Sequence, residues 1–234
     1  MENQRKIMIA DLHIHSKYSF DSFLSPKNII KEAKKHKIDV IAITDHNTIR
    51  GGLETLRINL DSKISVIVGS EIHTEIGDII GLYLNEEIKS RLSLDVIDEI
   101  KSQGGIVVLP HPFRGHNLNE KLINQCDAIE IFNSRSSEIE NQLSLELAKQ
   151  FNKPFTAGSD AHLACEIGLV KVVLKMDELT ERISFSSLNE DLIGTYSSKC
   201  LKHCSQLIKS LKTKNLKKIP YDFFNASYSI INRN

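Results

Sequence analysis

The sequence predicts an α/β fold in which a mainly parallel sheet closes into a barrel. Short apolar runs recur along the chain, and segments with helical spacing separate them. Several runs are apolar throughout, as expected for strands that are covered on both faces. About seven strands in this alternation favour a closed barrel over an open sheet. The 234 residues are enough for one such domain.

The first half of the chain shows the alternation most clearly. Pro26 fits the first turn of a helix, with Ser25 as its cap, and Ile29, Ile30 and Ala33 form the apolar face of that helix. The pattern predicts strands at 7–10, 40–44 and 64–68, an extended pair around 78–84, and helices at 25–37 and 48–60.

The second half continues the pattern and then loses it. Further helices are expected at 93–102 and 138–151, and further strands at 105–109, 128–132, 154–158 and 169–174. From about Asp177 we expect a loop at 186–196, a basic amphipathic helix at 198–214 with solvated lysines, and an aromatic tail at 220–234. We therefore expect a single domain over 1–234, with a barrel at about 7–175 and a C-terminal helix and tail at about 176–234.

Composition excludes several function classes. Thirty basic and thirty acidic residues cancel, so no global field favours long nucleic acid or an anionic membrane. No signal peptide and no membrane-spanning run of 18 to 20 apolar residues are recognised, which predicts a cytoplasmic protein. The four cysteines lack CxxC spacing and fit a reducing compartment.

Histidines and carboxylates cluster at or just beyond the predicted strand ends. Neutral imidazole and carboxylate are ligands of divalent transition metals, and active residues of α/β barrels sit at the C-terminal ends of strands. Five segments share this placement: AspLeuHisIleHis at 11–15, ThrAspHisAsn at 44–47, GlySerGluIleHis at 69–73, ProHisProPhe at 110–113 and GlySerAspAlaHis at 158–162. Together they predict one converging metal site.

The first and last segments have the most informative spacing. His13 and His15 alternate on a strand and point to one face, so both can reach one metal, although a hydrogen-bonded core pair is the alternative. Asp11 precedes them on that face and could orient an imidazole. Asp160 and His162 repeat the same i, i+2 geometry.

The middle segments each allow a structural alternative. His46 is the preferred ligand of its segment, because Asp45, Asn47 and Thr48 can serve as turn or cap residues. Glu71 can bridge two metals or be an ordinary strand-end residue. His111 is held between two prolines, which stiffen its backbone.

In order and kind, these motifs resemble the PHP (polymerase and histidinol phosphatase) family. The resemblance rests on AspLeuHisIleHisSer, SerPheAspSer with Asp21, IleThrAspHisAsn, GlySerGlu, LeuProHisProPhe and GlySerAspAlaHis, and it covers about residues 8–175. It implies a distorted (β/α)7 barrel with two or three zinc, manganese or iron ions at the C-terminal strand ends. It also implies hydrolysis of phosphoesters.

The resemblance, carried over position by position, implies a set of ligands for each of three metals. The first metal would be held by His13, His15, Glu71 and Asp160. Glu71 would bridge to a second metal that His111 also binds. A third metal would be held by Asp21, His46 and His162.

The second metal is the incomplete one in this comparison. Family members usually supply a further histidine between the Glu and HisPro motifs, and His73 is the candidate here, with Asp78 as the weaker substitute.

The expected reaction is hydrolysis of a phosphate ester of a small metabolite or nucleotide by metal-bound hydroxide, with Asp160 or His162 assisting proton transfer. Arg114 is the preferred phosphate clamp. Lys17 and Arg135 are further candidates for substrate binding from loops near the site, whereas His36, His116 and His203 are expected to be exposed.

Three other functions stay open at this stage. One is a nuclease or nucleotide phosphodiesterase acting on short nucleic acid, since long nucleic acid needs several phosphate contacts that neutral charge does not favour. Another is a metal-binding regulatory module without turnover, and the last is a metal-dependent amidohydrolase. The sequence predicts neither the substrate nor the oligomeric state.

Overall fold

A computed structural model describes residues 5–177, 182–184, 192–215 and 217–231. The strands are β1 (Arg5–Ile14), β2 (Val40–His46), β3 (Ser65–Thr74), β4 (Gly77–Leu82), β5 (Ile106–Leu109), β6 (Ala128–Asn133), β7 (Phe155–Gly158), β8 (Val170–Asp177), β9 (Arg182–Ser184) and β10 (Leu192–Gly194). The helices are α1 (Pro26–Lys35), α2 (Arg50–Ile58), α3 (Ser93–Ser102), α4 (Glu120–Gln125), α5 (Glu138–Gln150), α6 (Lys199–Lys212) and α7 (Ile219–Ile231).

The ten strands form one sheet that nearly closes on itself. Its order is β10-β8-β1-β2-β3-β4-β5-β6-β7, with β9 on β8. The pairs β1/β2, β2/β3, β5/β6 and β6/β7 are parallel, whereas β4 is antiparallel to both of its neighbours and β8 is antiparallel to β1.

A contact beyond β7 links the two sides of the sheet. The amide of His15, just after β1, donates to the carbonyl of Ala161 at 2.9 Å, and Ile14 and Ala161 form a parallel bridge. The predicted distorted α/β barrel is confirmed, with metal-site candidates at the C-terminal strand ends.

Strand β2 shows why an uninterrupted apolar run is stable here. Val40 and Ala42 belong to one buried cluster, while Ile41 and Ile43 belong to a second cluster that includes Ile29 of α1. Successive strand residues point to opposite faces, so each face needs its own apolar cover.

The starts of α1 and α4 have side-chain caps of the expected kind. The Ser25 side chain accepts from the Asn28 amide at 3.3 Å before α1, as predicted. The sequence pattern missed α4, because six residues are too few for a visible period. Asn119 caps it by accepting from the Leu122 amide at 2.9 Å.

The C-terminal part differs from the sequence-based prediction. Residues 192–194 are not loop but strand β10, which pairs antiparallel with β8, whereas 186–191 lie outside the described residues. The predicted helix at 198–214 is confirmed as α6, and most of the aromatic tail forms α7. The two helices contact each other through His203 of α6, whose Nδ1 lies 2.8 Å from Oγ of Ser229 on α7.

Candidate metal centre

The C-terminal strand ends bring the predicted ligands together. All are largely buried, with side chains at most 15% exposed. They are His13, His15, Asp21, His46, Glu71, His111, Asp160 and His162.

His13 and His15 lie at ligand–ligand distances from each other and from the carboxylates of Glu71 and Asp160. Nε2 of His15 lies 3.1 Å from Nε2 of His13, 3.2 Å from Oδ1 of Asp160 and 3.3 Å from Oε2 of Glu71. Nε2 of His13 lies 3.5 Å from Glu71 Oε2 and 3.7 Å from Asp160 Oδ1. Zinc bonds of about 2.0–2.1 Å give tetrahedral ligand–ligand edges of roughly 3.3–3.4 Å. The five separations bracket this value, so the donors fit a divalent ion.

The second carboxylate oxygen of Glu71 faces another group of donors. Glu71 Oε1 lies 2.8 Å from Nε2 of His111, and Asp78 offers a carboxylate oxygen within 4.8 Å of both. Nδ1 of His111 is buried and has no hydrogen-bond partner in the described part of the chain. Glu71 is thus positioned to bridge two ions.

His73 does not reach this group. Its side chain is 74% exposed, and Nδ1 pairs with Asp78 Oδ1 at 2.9 Å. The structure does not bring His73 into the second group of candidate ligands, because the ring is exposed and is paired with Asp78. Asp78, the weaker candidate from sequence, is the residue that can donate there.

A third group surrounds Asp21 on the loop after β1. Asp21 Oδ2 lies 3.0 Å from Nε2 of His162 and 3.3 Å from Nε2 of His46, and His15 completes the group. Asp21 Oδ1 is buried without a hydrogen-bond partner among residues the structure describes. A third ion or a polar ligand would satisfy it.

Glu130 of β6 orients the first histidine, and sequence reasoning missed it. Its Oε1 lies 3.0 Å from Nδ1 of His13, and Oε2 accepts from the His111 amide at 2.9 Å and from Asn133 Nδ2 at 3.0 Å. A carboxylate on the far imidazole nitrogen is the usual partner of a metal-ligating histidine. The available signal was one charged residue in the otherwise apolar run AlaIleGluIlePhe.

Two further imidazoles, those of His15 and His162, have their own orienting partners. His15 Nδ1 lies 2.9 Å from Ser19 Oγ, and His162 Nδ1 donates to the Asp160 carbonyl at 2.7 Å. In each case the contact leaves Nε2 directed at the cluster.

Asp11 does not orient an imidazole, which corrects the prediction from sequence. Its Oδ1 accepts from the backbone amides of Ser159 at 2.9 Å and His13 at 3.5 Å. Burial raises the pKa of Asp11 to about 7. Asp45 is likewise structural, because it accepts from the amide and hydroxyl of Ser16 at 2.6 and 2.7 Å.

The low pKa values of the buried carboxylates depend on neighbouring positive charge. Burial alone would raise the pKa of Asp160, but Arg114 and His13 hold it well below its usual range. Burial also acts to raise the pKa of Glu71, but the charges of His13 and His46 lower it well below its usual range. Burial also works against protonation of His15, yet Asp160 and Glu71 raise its pKa to about 10. Such a concentration of carboxylates requires cations, which divalent ions can supply.

Close backbone approach and strain accompany the site. His111 and Asp160 have φ of 28° and 52°, which is rare for residues other than glycine and costs about 1–3 kcal/mol each. At Gly158 a Cβ atom would lie 2.2 Å from the Cβ of His13. Only glycine therefore lets β7 pass against the first histidine.

Five of the eight predicted ligands line one wall of a cleft of about 350 Å³. Arg114 lies in it, as predicted, and donates to Asp160 Oδ2 at 2.6 Å and to Asn133 Oδ1 at 3.1 Å. Arg135 also lines the cleft, but Glu166 holds its guanidinium through bonds of 2.7 and 3.0 Å. The side chain of Lys17 instead pairs with Glu54 at 3.0 Å and is 42% exposed, so its predicted substrate contact is not supported.

Two histidines expected to be exposed are not. His116 Nε2 lies 2.8 Å from the Asp78 carbonyl, and its ring packs edge-on against His111 with centroids 5.5 Å apart. His203 lines the cleft from α6. Neither position was evident from sequence, because both depend on loop and helix docking.

Lysines of α6 also contact the site rather than solvent alone. Lys212 Nζ donates to the carbonyls of Lys17 at 2.7 Å, Ser22 at 2.9 Å and Ser19. These carbonyls belong to the loop that carries Asp21. The prediction of uniformly solvated lysines is therefore wrong for Lys212.

The fold and the cluster define an α/β barrel with candidate metal ligands at the C-terminal ends of its strands. The chain belongs to the PHP domain family, whose profile matches residues 11–189, as the motifs predict.

The chain is also similar to curated proteins and to solved structures. Two uncharacterized proteins of Methanocaldococcus jannaschii are similar: one is 44% identical over 54% of this chain and 82% of its own length. The other is 33% identical over 87% and 86%. A Bacteroides vulgatus two-domain protein, described as containing a predicted PHP-like metal-dependent phosphoesterase, superposes with a TM-score of 0.64 at 18% identity. That match covers 74% of this chain and 60% of the other.

Within the described ranges, no helix is both long and apolar enough to cross a bilayer.

Proposed function

We propose that the protein hydrolyses phosphate monoesters of small metabolites with the help of two or three divalent ions. The observation that carries this proposal is the close spacing of the imidazoles of His13 and His15 to the carboxylates of Glu71 and Asp160. Both carboxylates line a cleft that also contains the guanidinium of Arg114. Buried carboxylates and imidazoles suit zinc, manganese or iron. The cation of Arg114 suits a phosphate.

We assign the ligands in three groups. His13, His15, Glu71 and Asp160 would hold the first ion. Glu71, His111 and Asp78 would hold the second, in which Asp78 replaces His73 in our assignment because of its distance to Glu71 and His111. Asp21, His46 and His162, with His15 beside them, would hold a third.

The chain's own residues would divide the remaining work. Bound divalent ions would supply Lewis acidity and lower the pKa of water. Arg114 would place the phosphate, since its guanidinium lies within reach of Asp160 and on the cleft wall. Asp160 and His162 are the candidates for moving the proton, because both border the cleft and His162 keeps Nε2 directed inward.

The experiment combines metal analysis with turnover. Purified protein should carry two or three transition-metal ions per chain and release phosphate from small monoesters. Either His13→Ala or Asp160→Ala should abolish turnover and reduce metal content. The matched control is His36→Ala, since His36 follows the last residue of α1 and does not line the cleft. Full activity of chelator-treated protein would contradict the proposal.

Substrate size distinguishes the proposed phosphatase from a nuclease. A cleft of about 350 Å³ suits a small molecule. Small monoesters should therefore be cleaved much faster than labelled single-stranded DNA. Faster cleavage of the DNA would favour the nuclease. Full metal occupancy without cleavage of either substrate would favour a regulatory module.

A further inference from the structure

Helix α6 forms a wall of the cleft opposite the metal-site candidates. It begins at Lys199, beyond the last residue that the family profile matches, residue 189. Lys202, His203, Ser205, Gln206 and Lys209 of this helix line the same cleft as Asp21, His46, Glu71, Asp160 and His162. An element outside the family region therefore faces the candidate reaction centre.

The cations inside the cleft are not equally available to a ligand. Arg135 is held by Glu166 and also donates to Ser205 Oγ at 2.7 Å. Arg114 is held by Asp160 and Asn133. Across 5–177 and the other described segments, no hydrogen bond and no ion pair within 4.0 Å ties the ammonium group of Lys202.

The surroundings of Lys202 favour an added anion. Burial, followed by the charges of Arg114 and Arg135, lowers its pKa, and the carboxylates of Glu140 and Asp160 only partly oppose this. A half-buried ammonium beside two guanidinium groups gains more from an incoming phosphate than an exposed lysine does.

Lys209 extends the positive face of α6 to the mouth of the cleft. It is exposed, and its Nζ lies 4.7 Å from the centroid of the Phe20 ring. That ring stacks on His46 with centroids 4.5 Å apart. Lys202 and Lys209 are seven residues apart, so they share a helix face at a separation of about 10.5 Å along the axis.

We propose that α6 is the substrate-recognition helix: Lys202 binds the phosphate that is hydrolysed, and Lys209 binds a second anionic group of the same small substrate. The spacing suits a compact molecule with an anion at each end. This inference rests on the proposed phosphatase function, because it names the kind of ester that the cleft takes.

The first test measures binding without turnover. Inorganic phosphate is titrated calorimetrically into metal-loaded wild type, Lys202→Gln and Lys199→Gln. Lys199 is the matched control, because it lies exposed on the same helix and does not line the cleft. Loss of one charge-assisted contact should weaken phosphate binding about 10- to 100-fold in Lys202→Gln. Unchanged binding in that variant would overturn the role of Lys202.

The second test compares butyl phosphate with butane-1,4-diol bisphosphate in steady-state phosphate release. Lys202→Gln should raise KM for both esters, whereas Lys209→Gln should raise KM about tenfold for the bisphosphate and leave butyl phosphate unchanged. Equal effects of Lys209→Gln on both esters would overturn its role. Circular dichroism checks that each variant is folded.

The two tests separate the inference from the proposed function. If the wild type hydrolyses neither ester but binds phosphate through Lys202, the phosphatase proposal fails and the anion site of α6 stands. If turnover is seen but neither lysine variant differs from Lys199→Gln, the inference fails alone.

Discussion

Glu130 lies 3.0 Å from Nδ1 of His13 and thereby fixes which nitrogen of that ring faces the metal-site candidates. The same carboxylate accepts the backbone amide of His111. One residue of β6 therefore sets the position of two predicted ligands, His13 on β1 and His111 just after β5.

Replacing Glu130 by glutamine should weaken metal binding while every predicted ligand is kept. The amide lacks the negative charge that holds the far nitrogen of His13, so metal affinity should fall about 10- to 100-fold. Competition with a chromogenic chelator measures this affinity. Glu146→Gln is the control, because Glu146 is exposed on α5. Equal affinities for the two variants would contradict the orienting role.

Asp78 and His73 provide a matched pair for the second ion. Asp78→Asn should lower the number of tightly bound ions by about one, since its carboxylate lies near Glu71 and His111. His73→Ala should leave the number unchanged, because that ring is exposed. Inductively coupled plasma mass spectrometry on desalted protein gives the counts. The reverse result would show that His73, and not Asp78, is a ligand of the second ion.

Gly158→Ala should destabilise the fold and the site together. The added methyl would lie 2.2 Å from the Cβ of His13 and 2.9 Å from Oε1 of Glu130. Overpacking of this kind costs about 1–3 kcal/mol, which lowers the melting temperature by roughly 2–12 °C for a chain of this size. Differential scanning calorimetry on metal-loaded protein measures the change.

Gly115→Ala is the comparison for backbone strain. Gly115 has φ of 82° and no atom within 4 Å of an added Cβ. Its substitution should cost only the strain of a left-handed residue, about 1–2 kcal/mol, and should not alter metal content. A larger loss at Gly115 than at Gly158 would contradict the packing argument.

Cys126 should stay protonated and unreactive at ordinary pH. Burial raises the pKa of its thiol to about 12, whereas the thiol of an unfolded chain ionises near 8.5–9. The folded state therefore keeps the proton that the unfolded state loses, so this residue lowers stability as pH rises above about 9.

A thiol reagent at pH 8 tests this difference. Because only the thiolate reacts, the raised pKa should by itself make the reaction of Cys126 roughly a thousandfold slower than that of an unfolded thiol. Cys165→Ser should remove one fast-reacting thiol, because Cys165 is exposed, whereas Cys126→Ala should leave the fast count unchanged. Loss of a fast thiol in Cys126→Ala would show that the site opens.

Much of the fold was predictable because its signals are local. The apolar run of β2 and the Ser25 cap of α1 depend on a few neighbouring residues, and both are confirmed. The parallel strand ends then explain how His13 and Asp160 meet, although 147 positions separate them.

The parts that were missed depend on long-range geometry. Glu130 looks like an isolated charge until β6 is paired with β7 and brought opposite His13. Whether His73 or Asp78 faces Glu71 depends on the twist of the β3/β4 hairpin, which residue spacing does not give. The position of Lys202 depends on how α6 docks, and no local pattern encodes that.

Lys212 gives the C-terminal segment a second role, which is to hold a loop of the barrel in place. Its ammonium group holds three carbonyls of the loop that carries Asp21, although residue 212 lies outside the span shared with the family. The helix that lines the cleft therefore also anchors the loop beside it. Truncation of the chain before α6 would release this loop and, with it, one of the three groups of candidate metal ligands.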